Sequence, residues 1–113
     1  MIRFHHYGVA VNDDIMNKWD HLNWTYDPNQ NIFVAMSKVC DNVEYVCGKS
    51  VDRYIYDTYY HACYEVDDID YYVSKYNEFG CIKIVDTTAE LFNGRRIVFM
   101  TNGETLVEFL QCE

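Results

Sequence analysis

One pattern occurs twice in this chain, and it limits the fold more than any other feature. His6-Tyr7-Gly8-Val9-Ala10-Val11 runs into Asn12-Asp13-Asp14-Ile15, and His61-Ala62-Cys63-Tyr64-Glu65-Val66 runs into Asp67-Asp68-Ile69. In each copy a histidine sits in a strand-like stretch, a valine follows five residues later, and acidic residues then open an amphipathic segment. A second pair of words extends the repeat. Phe33-Val34-Ala35-Met36 matches Ile97-Val98-Phe99-Met100, and Val43-Glu44-Tyr45-Val46 matches Val107-Glu108-Phe109-Leu110. Both of these matches are offset by 64 residues (36 to 100, 44 to 108), against 55 for the histidines (6 to 61). The difference falls in the helix-to-strand connection, where insertions cost little.

Each copy therefore reads as strand, helix, then two or three strands. In the first, Arg3 to Val11 is rich in aromatic and β-branched residues and reads as a strand. Alternation puts His6, Gly8 and Ala10 on one face and His5, Tyr7, Val9 and Val11 on the other. Ile15, Met16, Trp19 and Leu22 fall at helical spacing behind a cap at Asn12, Asp13 or Asp14. Trp24 to Tyr26 reads as a short strand and Asp27 to Asn31 as a loop. Ile32 to Val39 and Val43 to Cys47 are strands around a turn at Asp41-Asn42. Gly48 to Asp57 has the composition of a linker.

In the second copy, Tyr59 to Val66 is a strand with His61, Cys63 and Glu65 on one face. Asp67-Asp68 caps a helix that runs through Phe79, with Ile69, Tyr72, Val73 and Tyr76 as its apolar stripe, and Gly80 stops it. Cys81 to Asp86 is a strand and Thr87 to Gly94 a loop. Arg95 to Thr101 and Thr105 to Gln111 form a hairpin across Asn102-Gly103. The expected fold class is α+β: two pseudo-symmetric βαβββ modules, about 1–50 and about 58–113, within a single domain spanning 1–113.

Length, charge and cysteine use narrow the function classes. A chain of 113 residues, half of them hydrophobic, can bury a real core. Its formal net charge of -9 argues against a nucleic-acid or anionic-membrane partner, since both need clustered Lys and Arg. The five cysteines include no C-x-x-C, and no apolar signal or membrane-length run is evident. These read as reduced thiols in a cytoplasmic protein.

The chemistry is carried by His6, Glu44, His61 and Glu108. Each module supplies one histidine from its first strand and one glutamate from its last. A carboxylate in an apolar strand needs a reason, because burying it unpaired is expensive. A lone His or Glu would be read as a core or surface residue, but four at repeat-related positions form a suitable set of ligands for one divalent ion. Mixed N/O ligation suits Zn, Co, Ni, Mn or Fe. The metal would hold oxygens of a small carbonyl substrate, with Glu44 or Glu108 as the catalytic carboxylate that takes and returns a proton. Arg95 and Arg96 turn to opposite faces, so at most one enters the cup to bind a substrate carboxylate. Arg53, Tyr54, Tyr56, Tyr59 and Tyr60 cluster around the linker, where they line a pocket or pack. Cys63 reads as a small core residue.

HHYGVAV (His5 to Val11), YHACYEVDDID (Tyr60 to Asp70), NGRRIVFM (Asn93 to Met100) and TLVEFLQ (Thr105 to Gln111) resemble the vicinal oxygen chelate superfamily. That group includes glyoxalase I, the bleomycin-resistance proteins and methylmalonyl-CoA epimerase, and the likeness is greatest to the epimerase branch. The resemblance implies a glyoxalase-like fold, an open cupped β-sheet around a metal held at the positions of His6, Glu44, His61 and Glu108. It implies an epimerase, isomerase or lyase. Epimerases usually carry Gln where Glu44 stands, whereas bacterial glyoxalase I carries Glu. The helix IMNKWDHLNW departs from the glyoxalase pattern, Asp27 to Gln30 offers no clear match to the additional base of the epimerases, and no basic cluster suits a coenzyme A carrier. Three alternatives differ in class. One is a bleomycin-resistance-like protein that sequesters a small molecule without catalysis. Another is an iron-dependent ring-cleaving dioxygenase, for which Glu44 would be a ligand too many. The last is a partner-binding subunit with a tyrosine-rich surface. Duplicated modules also allow the site to close within one chain or across a homodimer.

Overall fold

The computed structural model describes residues 1–54 and 60–113, with the side chains of 52–54 left aside. Strand β1 (Ile2–Ala10), helix α1 (Asp13–Lys18) and strands β2 (Thr25–Asp27), β3 (Ile32–Met36) and β4 (Val43–Cys47) make the first run of elements. A 3-10 helix at Lys49–Tyr54 follows. The order then repeats as β5 (His61–Val66), α2 (Ile69–Glu78), β6 (Ile82–Ala89), β7 (Arg95–Thr101) and β8 (Leu106–Gln111). No helix among the described residues is long and apolar enough to cross a membrane. The tyrosines at 56 and 59 and the side chains of Arg53 and Tyr54 lie outside the described residues, as does part of the linker read at 48–57.

These strands form one sheet in the order β2-β3-β4-β1-β5-β8-β7-β6. The first strand of each run pairs in parallel with its last, β1 with β4 and β5 with β8. Gly8 lies opposite Glu44 in the first pair, and Cys63 opposite Glu108 in the second. The two halves meet where β1 and β5 run antiparallel, with His6 opposite Cys63, Tyr7 opposite Ala62 and Gly8 opposite His61. The 55-residue offset that relates the histidines exchanges the first and last of these pairs and maps Tyr7 onto Ala62. A pseudo-twofold axis thus passes through the Tyr7–Ala62 pair, and the two histidines stand on either side of it, on the same face.

That face is the inside of a curled sheet. Ala10, Ile32, Val34, Val46 and Val51 pack there in the first half, and Cys63, Ala89, Ile97, Phe99 and Leu110 in the second. The outer face of the second half is covered by α2. Asp68 caps this helix by accepting from the Tyr71 N–H, and Ile69 with Tyr72, Val73 and Tyr76 packs on Val66, Val98, Met100 and Phe109. Gly80 ends the helix with φ of 89°, a left-handed conformation that glycine adopts without strain.

Four expectations are corrected. Helix α1 stops at Lys18 instead of running to Leu22, because it buries no residue and the Trp19 carbonyl is taken by Nε1 of Trp24. Strand β3 ends at Met36, where Ser37 turns its hydroxyl to the Val39 and Cys40 N–H groups. The stretch read as a loop from Thr87 is largely strand: β6 stays paired with β7 through Ala89 and passes into a 3-10 turn at Glu90–Phe92. Lastly, His5 does not follow simple alternation. The register of β1 against β5 shifts between Phe4 and His6, so His5 is an extra residue in a β-bulge and its ring turns toward His6.

Candidate metal centre

Four strands deliver the four side chains singled out by the repeat. His6 comes from β1, Glu44 from β4, His61 from β5 and Glu108 from β8, all near the centre of the sheet. All four are buried. Nε2 of His6 lies 3.6 Å from Oε1 of Glu44 and 3.4 Å from Oε1 of Glu108. Nε2 of His61 lies 2.8 Å from the same Glu108 oxygen and 3.4 Å from Nε2 of His6. The convergence depends on Gly8. A methyl group there would stand 2.2 Å from Cε1 of His61, so only glycine leaves room for that ring.

The two carboxylates differ in their surroundings. Burial raises the pKa of Glu44 well above the ordinary carboxylate range; His6 opposes the shift and the Glu108 charge adds to it. Burial also acts to raise Glu108, but hydrogen bonds from His6 and His61 outweigh it and hold that group low. The surroundings thus push the two carboxyl groups in opposite directions.

These residues suit a divalent ion. Ligands bonded at about 2.0–2.2 Å around one centre stand roughly 2.8–3.6 Å from each other; the four separations above fall in that range, and donor atoms of His6, Glu44 and His61 lie within 4.8 Å of one another. Glu44, His61 and Glu108, with Asp27, Gln30, Tyr60, Phe92 and Phe99 among others, line a void of about 10 Å³, room for about one ion or water. Hard oxygen and borderline nitrogen donors in equal number favour a borderline divalent cation.

Further residues hold this arrangement. Phe92 stacks on the His6 ring at 5.4 Å and meets His5 edge-on at 5.0 Å. Phe99 and Tyr60 meet His61 edge-on at 5.0 and 4.5 Å. Burial and the His6 neighbour push the His5 imidazole below its ordinary pKa. Asp27 is buried beside the centre, where its carboxylate accepts from the N–H groups of Asn29, Gln30 and Glu90 and from the Gln30 amide. It ties the loop after β2 to the 3-10 turn of the other half. Cys63 is fully buried, and burial followed by the charge of Glu108 pushes its thiol pKa far up. An inert thiol follows.

Arg95 and Arg96 face opposite sides, and both meet carboxylates of this chain. Arg95 Nη1 donates to Glu65 Oε2 at 2.6 Å, and Arg3 donates to the other Glu65 oxygen. Arg96 bridges Asp86 at 2.9 Å and Asp70 at 3.0 Å on the outer side. The sequence reading left Gly8, His5, Glu65 and Phe92 without a place in the site. A glycine in a strand two residues after a ligand histidine is a signal of close approach; the other three depend on long-range packing.

No family model matches the sequence, and no curated protein does. Solved structures do match its fold. Methylmalonyl-CoA epimerase from Mycobacterium tuberculosis aligns over 98% of this chain and 88% of its own, with TM-score 0.63 and 19% identity. A hypothetical protein from Bacillus halodurans C-125 aligns over 99% and 95%, with TM-score 0.67 and 18% identity. A variant of Streptomyces coelicolor methylmalonyl-CoA epimerase in complex with 2-nitronate-propionyl-CoA aligns over 96% of both chains, with TM-score 0.65 and 15% identity. The chain has the glyoxalase-like fold of these structures. In this fold the curled sheet and the paired βαβββ runs expected from the repeat are both accounted for.

Proposed function

We propose that this protein is a metal-dependent enzyme of the glyoxalase and epimerase type, acting on a small carbonyl compound by proton abstraction and return. The observation that carries this reading is the convergence of His6, Glu44, His61 and Glu108 from repeat-related strands, with an ion-sized void beside Glu44, His61 and Glu108. A divalent ion in this donor set would supply Lewis acidity, lowering the cost of negative charge on a carbonyl oxygen when the adjacent carbon loses its proton.

The chain's own groups divide the remaining work. Glu108 Oε1 lies 3.4 Å from Nε2 of His6 and 2.8 Å from Nε2 of His61, placed to share one ion with both rings. Glu44 is the proton carrier of this proposal: burial disfavours its charged form, so on leaving the ion it would take a proton and return it. A cavity of about 290 Å³ adjoins the centre, lined by Gln30, Ile32, Tyr60, Val85, Phe99 and Leu106 among others. That volume lies near the lower end for ligand pockets, about 300 Å³, and its lining suits a compact substrate with an apolar body. The similar structures include a methylmalonyl-CoA epimerase in complex with methylmalonyl-CoA and NH4+. Acyl thioesters therefore belong in the substrate panel beside 2-oxo and 2-hydroxy-carbonyl compounds.

The test is hydrogen exchange in deuterated water, with metal-loaded protein and each compound of the panel. Wild type should wash deuterium into the acidic position of the true substrate. Glu44→Gln should retain the metal and lose most of the exchange, about 100-fold or more. Unchanged exchange in Glu44→Gln would remove that residue from the mechanism. Tight binding of a panel compound with no exchange would instead favour sequestration.

A further inference from the structure

His5 and His6 are neighbours in one strand, and simple alternation would point them to opposite sides of the sheet. The bulge changes this. Phe4 lies opposite Tyr64 and His6 opposite Cys63, which leaves His5 with no partner residue across the ladder. The Asn42 side-chain amide donates to the His5 carbonyl at 2.8 Å and secures the bulged backbone. The His5 ring consequently stands edge-on to His6, with the two Nδ1 atoms 2.9 Å apart. Phe92 covers both rings.

One of two nitrogens at that distance must donate and the other accept. His6 presents Nε2 to Glu44, Glu108 and His61. A histidine that ligates through Nε2 carries its proton on Nδ1, and that proton needs an acceptor. The Nδ1 lone pair of His5 stands where the acceptor is required. His61 has no such partner: its Nδ1 is buried and without a hydrogen bond among the described residues, and packing against Gly8, Tyr60 and Phe99 holds its ring instead.

We propose that His5 is a positioning residue, placed by the β-bulge so that its Nδ1 accepts the Nδ1 proton of His6 and fixes that ring with Nε2 directed to the metal. The proposal rests on the metal reading above. It also disposes of a second metal site on His5, His6 and Cys63, whose donor atoms lie within 4.8 Å of one another. The Nδ1 atoms there are consumed by each other.

Three variants and one spectroscopic measurement test it. His5→Phe keeps a ring against Phe92 and removes the acceptor; His5→Asn restores an acceptor oxygen near the Nδ1 position; Tyr26→Ser, remote from the site, is the control. Zinc affinity, measured by competition with a chelator, should fall about 10–100-fold in His5→Phe. It should recover most of that loss in His5→Asn and stay unchanged in the control. Equal affinity in wild type and His5→Phe would overturn the role, and so would equal loss in His5→Phe and His5→Asn. In 15N-labelled wild type with zinc, a scalar coupling across the hydrogen bond should link Nδ1 of His6 with Nδ1 of His5, and its absence would overturn the pairing. Should wild type take up no divalent ion at all, the metal reading falls separately, and the same coupling in metal-free protein decides whether the histidine pair exists.

Discussion

Among single residues, Gly8 shows how a position without a side chain can govern a site. It faces His61 across the β1–β5 ladder, and its missing Cβ is the space that the imidazole occupies. Gly8→Ala would press a methyl group onto Cε1, and the neighbour is a ring held on its other sides by Tyr60 and Phe99. Overpacking of this kind costs about 1–3 kcal/mol. It should also displace Nε2 from the shared centre. Thermal melts and zinc titration of Gly8→Ala should therefore both decline, whereas a purely conformational role for the glycine would lower the melt and spare the affinity. The clustering of His6, Glu44, His61 and Glu108 is what the sequence displayed best, because the repeat marks equivalent residues without any knowledge of contacts. What lay beyond reach was the support of those residues. A bulge of one residue cannot be seen in a string that alternates well on either side of it, and it moved His5 from one face to the other.

Among elements, the two halves have diverged in their helices more than in their strands. Helix α2 is long, capped by Asp68 and buried along one stripe, and its pattern alone places it between Asp68 and Phe79. Helix α1 shows similar spacing in the sequence but ends after six residues and buries none of them. Periodicity reports which positions could share a face, and only packing decides whether that face finds a surface. The strands are tied across the sheet by Glu65 of β5, which receives Arg3 from β1 and Arg95 from β7. The hydrogen bonds from Arg3 and then Arg95 hold its pKa below the ordinary range. A carboxylate lowered in the folded state stabilises the fold above its unfolded pKa, about 4.3, and that contribution is lost as pH falls through the lower folded value. Wild type should therefore lose stability steeply below about pH 4. Glu65→Gln should start lower at pH 7 and show a shallower decline in Tm across the acid range. Parallel Tm profiles for the two proteins would show that the clamp contributes nothing.

At the scale of the whole molecule, the site belongs to neither half alone. Each half brings one histidine and one glutamate, and the four meet only when β1 and β5 are paired along the pseudo-twofold axis. Two ligands bind a divalent ion far more weakly than four, so the proposed metal affinity would be available only to the assembled sheet. Binding energy of that kind becomes folding energy. A net charge of -9 works in the same direction, since an added cation relieves repulsion in a chain with two buried carboxylates at its centre. At a free metal concentration of about 100 times Kd, the gain is about 2.7 kcal/mol. For a chain of this size that is a rise in Tm on the order of 10 °C. Chelation should reverse it. Amide exchange should slow in β1 and β5 together, because opening either strand destroys the site. The Glu108→Ala variant should show neither the thermal shift nor the protection. A wild-type shift that persists in Glu108→Ala, or protection confined to one half, would mean that the ion binds elsewhere on the acidic surface.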